Sequence, residues 1–405
     1  MPSSGIWAGI AIEEVPATGL TDAAACGPWR SASVALEPAR LRLAGSGRWG
    51  VSFLVARMDA AVVAVLPLFR HRGASFASAV FDPASVAPGL FGDRPANADR
   101  YLFIGGGPEL VAGAATAAGL ARPVADRITA ALADAAFATA ARRELTGVSL
   151  YVRDSELGAF AGPETGLEGG QETGPQGPRG LAAVGEFTAL HLPEGGMDGY
   201  LASLNHGRRS VVRRDLARIA QAGLTAAEAP PADLIEEAAE LVTAVKARHG
   251  QPGHPMLTSL RLTEWSRAPG GVPVAFGVRD RAGRLIAASF GTHRTETASF
   301  GTRRTEDTQR TETAGNSETA SHSEATSHSE AAGSSGVLEL YEVGLADDPA
   351  VRQLAYVEVL VYAPLRFAFL TGCRRIDLGL GSTTPKKLRG ATSSPVWAVG
   401  PDVLA

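Results

Sequence analysis

The stretch 162–180, GPETGLEGGQETGPQGPRG, holds one leucine and no aromatic residue, so it cannot contribute to a core. It divides a chain of 405 residues, which is too long for one ordinary domain. The expected organisation is an N-terminal domain over 1–160, a linker over 161–185 and a C-terminal domain over 186–405. A second interruption lies at 291–335. There FGTHRTET at Phe290 is followed by FGTRRTED at Phe300, and SHSEA occurs at Ser321 and again at Ser327. A segment built of Thr, Ser, Glu, Arg, His and Ala is expected to be a disordered low-complexity insert, an overgrown hairpin loop between two strands. His293, His322 and His328 fall in it, but nothing apolar fixes their geometry, and no metal site is expected.

Hydrophobic residues make up 45% of the chain, enough for a core in each half, while aromatics are only 6%. The net charge of −4 argues against a protein that coats nucleic acid, and no duplex-DNA binding is expected. The only cysteines, Cys26 and Cys373, form neither a disulfide framework nor a metal knuckle. Glu13 and Glu14 interrupt the apolar start where a secretory signal would continue. No stretch approaches the ~20 apolar residues of a spanning helix. The expected compartment is the cytoplasm.

The runs VSFLVAR and AVVAVLPLFR, flanking the turn-like Met58-Asp59, predict a hairpin of two strands over 50–70, with Pro67 marking an edge or an end. Residues 81–109 read as loop, and Gly105-Gly106-Gly107-Pro108 as a turn, since no phosphate-loop spacing is present. A helix is expected over 123–144, with Val124, Ile128, Leu132 and Phe137 near one face, and then a strand from Val148. The second half reads as an apolar stretch from Phe187, a helix over 198–222 and a helix from Asp233, where Asp233 and Glu236 have capping-box spacing. Strands follow at 272–279, 285–290 and from Val337, then a long helix over 349–371, a strand over 374–378 and a last strand from Val396. Mostly antiparallel strands with one long crossover helix imply an α+β architecture.

The loop GLGSTTPKKLRG, 379–390, is the strongest candidate site. Its glycines allow close backbone approach, Ser382 and the threonines supply hydroxyls, and Lys386, Lys387 and Arg389 bring positive charge beyond a strand end. The same residues would equally make a plain basic turn. Arg208, Arg209, Arg213, Arg214 and Arg218 line the outer face of the 198–222 helix. They could bind phosphates or simply solvate that face, with Asp215 offsetting part of the charge. Glu342 could be a buried general base or an exposed strand-end carboxylate.

The segment YVEVLVYAPLRFAFLTGCRRIDLGLGSTTPKKLRGA resembles the C-terminal signature of FemAB-like transferases and of relatives with a BioF2-like acetyltransferase domain. The matching elements are Tyr362-Ala363-Pro364, Arg374-Arg375-Ile376-Asp377-Leu378-Gly379, Lys386 and Arg389-Gly390. The basic helix LASLNHGRRSVVRRDLARIAQAGL resembles those families' opening helix. The resemblance spans about 186–400, outside the insert. It implies tandem GNAT-like domains, the first degenerate, each a mixed, mostly antiparallel sheet flanked by helices.

By the same resemblance the activity would be transfer of an acyl or aminoacyl group to an amine, with Lys386 stabilising charge on the transferred carbonyl. Substrate or donor contacts would come from Arg208, Arg209, Arg213, Tyr362, Gly381, Ser382 and Arg389. No tightly bound cofactor is implied. The donor would be acyl-CoA or aminoacyl-tRNA, and the acceptor a small-molecule, peptide or sugar-nucleotide amine. The turn LADDPAVRQLAY lacks the glycines that hold a coenzyme pyrophosphate, and Asp347 and Asp348 would repel one, which brings tRNA forward. The alternative is a non-catalytic ligand-recognition module that keeps the fold.

Overall fold

A computed structural model describes residues 9–20, 28–44, 48–76, 78–92, 97–107, 109–162, 179–251, 253–296 and 335–401. The N-terminal half contributes strands β1 (Ile10–Pro16), β2 (Trp29–Ser31), β3 (Trp49–Met58), β4 (Ala61–His71), β5 (Tyr101–Ile104), β6 (Ala115–Ala117) and β7 (Thr146–Arg153). The C-terminal half contributes β8 (Arg179–His191), β9 (Thr225–Ala229), β10 (Val272–Arg279), β11 (Leu285–Glu296), β12 (Ser335–Leu345), β13 (Cys373–Leu380) and β14 (Thr392–Pro401). They join in one sheet of order β1-β3-β4-β5-β7-β14-β8-β13-β12-β11-β10-β9, flanked by helices. The architecture is thus α+β, with a mixed and mostly antiparallel sheet.

The two halves repeat one plan. β1, β3, β4 and β5 pair antiparallel in succession, and β5 then pairs parallel with β7. β9, β10, β11 and β12 do the same, and β12 pairs parallel with β13. A parallel pair needs a crossover. In the first half that is helix α1 (Arg122–Arg142), which buries Ile128, Leu132 and Phe137. In the second it is the helical run 352–371. β14, late in the chain, pairs antiparallel with β7 on one side and β8 on the other, and so seams the halves.

The hairpin over 50–70 forms as expected, with Asp59 (φ 49°) and Ala60 (φ 67°) both left-handed in its two-residue turn. Pro67 does not mark an edge: β4 pairs with β3 on one side and with β5 and β6 on the other. The missing N–H costs little, because β5 ends beside it. The Pro67 carbonyl accepts from Gly105, whose own carbonyl turns to the Gly113 amide. The expected loop over 81–109 contains strand β5, fully buried. Gly106 is an obligatory glycine, since a Cβ there would lie 2.2 Å from the Val111 carbonyl oxygen.

The expected 198–222 helix is two helices, α2 (Gly196–Ser203) and α3 (His206–Ala222). Asn205 separates them and caps α3 by accepting from the Arg208 amide. Helix α4 (Pro231–Arg248) starts at its proline, so Asp233 sits in the first turn and forms no capping box. Sequence reading missed β9 and helix α5 (Pro255–Arg267) altogether. Nor does the linker reach 185: residues 179–185 belong to β8, paired along β14.

The insert boundary also moves. Residues 291–296 continue β11 and pair with β12 from Leu340 to Ser335, and the repeats from 297 to 334, with His322 and His328, lie outside the described residues. His293 is a half-buried strand residue. We expect removal of 297–334 behind a short turn to shift the melting temperature by only a few degrees. Extending the deletion to 291–335 strips the ladder from β12, and should cost several kcal/mol of stability by losing buried pairs. Thermal unfolding of both deletions tests this.

The run 352–371 is α6 (Arg352–Val357), a π-helical turn (Glu358–Tyr362) and α7 (Ala363–Thr371). Pro364 has no amide to donate backwards, and the helix widens just ahead of it. This run is long and apolar enough to cross a membrane, but 72% of its apolar window is buried inside the protein.

Candidate active site

Three residues with positive φ, at and just past the end of β13, set the geometry of the 379–390 loop. Gly379 (φ 72°), Gly381 (φ 68°) and Ser382 (φ 47°) turn the chain sharply off β13. A short helix, α8 (Thr383–Lys387), then carries Lys386 back beneath the strand end. Lys386 is 2% exposed. Its Nζ donates to the carbonyls of Leu378 (2.8 Å), Gly379 (3.2 Å) and Leu380 (3.1 Å). All three ammonium protons are engaged, and burial pushes the group down to about 8. Lys387 points the other way, to Glu186 at 2.9 and 3.1 Å.

Arg389 is equally buried. One amino group donates to the Pro385 carbonyl (2.7 Å) and the other to Asp215 Oδ2 (2.5 Å). The Tyr362 hydroxyl donates to the same Asp215 oxygen at 2.8 Å, and the Tyr200 hydroxyl donates to the Arg389 carbonyl at 2.7 Å. Burial raises both phenols, and the neighbouring Asp215 carboxylate raises them further. Asp215 thus ties the inner face of α3 to the loop and to the π turn. Sequence reading took it for a surface charge. The signal was available: Val212, Asp215, Leu216 and Ile219 lie on one face at helical spacing.

The structure therefore joins Tyr362 and Arg389 through Asp215 and leaves neither a surface for substrate, while the buried Lys386 ammonium bonds only backbone carbonyls of the strand end. Gly381 and Ser382 form the exposed tip. Arg208 and Arg213 are exposed on α3, whereas Arg209 donates to the carbonyls of Ala202 (3.3 Å) and Leu204 (2.8 Å) and clamps α2 to α3. Asp347 is held by Arg352 (2.9 Å) and Arg248 (3.4 Å), and Asp348 accepts from the Ala350 amide (2.9 Å).

A second group of charges sits where the parallel pair β12–β13 ends, at the register partners Glu339 and Asp377. Glu339 accepts from Ser33 Oγ (2.7 Å) and the Val34 amide (3.0 Å) and pairs with Arg294 (2.7 Å). Asp377 pairs with Arg375 (2.9 Å) and with Arg153 (3.3 Å) from β7. Burial raises the Asp377 carboxyl, and the two guanidinium groups oppose that rise. These contacts bind the C-terminal half to the N-terminal one.

Beside Glu339 a cavity of about 240 Å³ opens between the halves, walled by Arg40, Trp49, Glu109, Arg261, Trp265 and Tyr341. Trp265 and Tyr341 stack at 5.5 Å and 5°. Among the described residues, the half-buried Glu109 carboxyl has no hydrogen-bond partner, and burial raises its pKa. Arg261 donates from one amino group to Glu342 (2.6 Å) and the Tyr341 hydroxyl (3.0 Å), while its other amino nitrogen is buried without a partner. Glu342, a candidate base from sequence, is held at Oε1 by Arg261 (2.6 Å) and by Lys246 (2.9 Å). Sequence reading missed this cavity. Among the described residues, no three His, Cys, Asp or Glu side chains cluster as a metal site requires.

No family model and no curated protein matches the chain. Solved structures do resemble it in plan. A conserved protein of unknown function from Bacteroides thetaiotaomicron is 11% identical, with 97% of this chain and 99% of that one covered, at a TM-score of 0.49. FemX is 11% identical over 87% and 88% of the two chains, at 0.45. A tandem GNAT protein from the clavulanic acid biosynthesis pathway is 13% identical over 98% and 100%, at 0.40. At these scores the likeness extends to the fold plan and carries no residue-level correspondence.

Proposed function

We propose that the chain is an N-acyltransferase that moves an acyl or aminoacyl group from an activated donor, an acyl-CoA or an aminoacyl-tRNA, to an amine. The observation that carries this reading is the cavity at the end of the β12–β13 pair, with the Glu109 carboxyl in its wall. An amine attacks only after losing its proton, and a carboxylate of raised pKa in a water-poor site suits that task. The amine nitrogen bonds to the donor carbonyl carbon, the C–S or C–O bond breaks, and the amine proton passes to the carboxylate, which hands a proton on to the leaving thiolate or alkoxide. Lys386 supports the reading as the one buried ammonium of the signature loop. In the resting state it shapes that loop. Placing charge on a reacting carbonyl would require it to release one of its three backbone acceptors. Gly381 and Ser382 would contact the donor, and Arg389 and Tyr362 hold the loop rather than the substrate.

One observation favours a recognition module without chemistry: every proton of Lys386 is already engaged within the protein. Incubating the purified protein with acyl-CoAs and charged tRNAs against a panel of amines, read by mass spectrometry, decides between them. A new amide supports transfer. Intact donors under all conditions, with amines still bound, leave recognition.

The exposed arginines of α3 belong to donor binding in this reading. We expect Arg208→Ala with Arg213→Ala to raise the apparent KM for a phosphate-bearing donor about tenfold at low salt, with little effect at high salt. A salt-independent fall in kcat at unchanged KM contradicts that role. Arg209→Ala should instead cost stability, because its guanidinium clamps α2 to α3.

A further inference from the structure

The wall of the cavity between the halves carries opposite charges at separate points, with aromatic surface between them. Glu109 presents a carboxyl that makes no hydrogen bond to another described residue, with Arg261 and Arg40 near enough to act on its charge. Arg261 presents a buried N–H without a hydrogen-bond partner. Arg40 is held loosely at its tip, with contacts of 3.4 Å to the Trp265 and Ala268 carbonyls and 3.5 Å to Thr292. A buried donor and acceptor left unpaired cost free energy that a ligand can recover. Single-charge ligands satisfy only one of them. Trp49 and the stacked Trp265–Tyr341 pair form an apolar face, closed by Val34 and Leu340. The volume, about 240 Å³, falls below the roughly 300–1,000 Å³ of pockets for drug-sized ligands. That excludes a sugar nucleotide or a folded peptide from the cavity itself.

We infer that this cavity binds a free α-amino acid with an apolar side chain, its ammonium on Glu109, its carboxylate on Arg261 and Arg40, and its side chain against Trp265 and Trp49. The inference rests on the transferase reading, because it names the acceptor of that site. Of the acceptor classes considered from sequence, it selects the small molecule.

Isothermal titration of the full chain with L-leucine and L-phenylalanine tests it. The paired controls are isoamylamine and 4-methylpentanoate, which each keep one charge of leucine. We expect at least one amino acid to bind in the millimolar range or tighter, each single-charge control to bind at least tenfold more weakly, and Glu109→Gln to weaken the amino acid at least tenfold. Glutamine keeps the side-chain volume and breaks no hydrogen bond to another described residue, so the variant should fold, and its melting temperature checks that. Binding of neither amino acid, equal binding of isoamylamine, or undiminished binding by Glu109→Gln overturns the inference. Amino acid binding without transfer from any donor sinks the transferase reading and leaves the ligand class standing. Transfer to other amines with no amino acid bound does the reverse.

Discussion

Asp215→Ala should lower unfolding free energy by about 3–5 kcal/mol, the usual cost of removing one partner of a buried ion pair. Asp215 and Arg389 have side chains 8% and 5% exposed, and the pair is 2.5 Å apart. Without Asp215 the Arg389 guanidinium stays desolvated with only the Pro385 carbonyl as partner, and the Tyr362 hydroxyl loses its acceptor. The Tyr200 hydroxyl of α2 still holds the Arg389 carbonyl, but α3 loses its buried ion pair to the loop. A double-mutant cycle with Arg389→Met separates pair from penalty: the double variant should be more stable than Asp215→Ala alone, because the stranded charge is gone. Urea unfolding of the four proteins is the measurement. If the double variant is as unstable as the sum of the singles, the two residues are not coupled and the buried network is misread.

Lys386→Met should reduce turnover by a few hundredfold, about 3 kcal/mol in the transition state, once donor and acceptor are known. The structure adds a stability cost, because methionine leaves the carbonyls of Leu378, Gly379 and Leu380 without their shared donor. Lys387→Met is the internal control. Its partner Glu186 is exposed, so it should cost little in either quantity. The charge on Lys386 has its own signature. Burial depresses its pKa to about 8 from an unfolded value near 10.5, so between those values the unfolded chain binds more protons than the folded one. The penalty for burying the ammonium is therefore full below pH 8 and is relieved as pH rises toward 10.5. Wild type should gain stability relative to Lys386→Met across pH 8 to 10. Parallel pH profiles, or equal kinetic effects at Lys386 and Lys387, would show the loop to be a solvated basic turn.

Elements with a strong local signal were legible: β3 and β4 are two apolar runs around a short turn, and α1 shows its Ile128–Leu132 face. Helix α5 was not, because it buries only Thr258, Leu262 and Trp265, while Met256, Leu257 and Leu260 face outward and blur its apolar stripe. Strand β9, TAAEA, carries one β-branched residue and is defined by its pairing with β10. For the site, the glycines, hydroxyls and clustered positive charge pointed to the 379–390 loop, but could not say which way Lys386 turns. The cavity was invisible for another reason. Its walls come from 33–49, 109, 261–268, 292 and 339–341, which only the sheet order brings together.

The seam strand also constrains how such a chain is made. β7 is the last strand of the first half, yet its second edge is covered only by β14, at 392–401. During synthesis that edge waits, unpaired, through more than half of the chain, open to strands of neighbouring nascent chains. The repeated plan of the two halves would ordinarily let each mature separately. Here the first one to emerge is completed by a strand of the second, and its maturation waits on the translation of β14 rather than on its own.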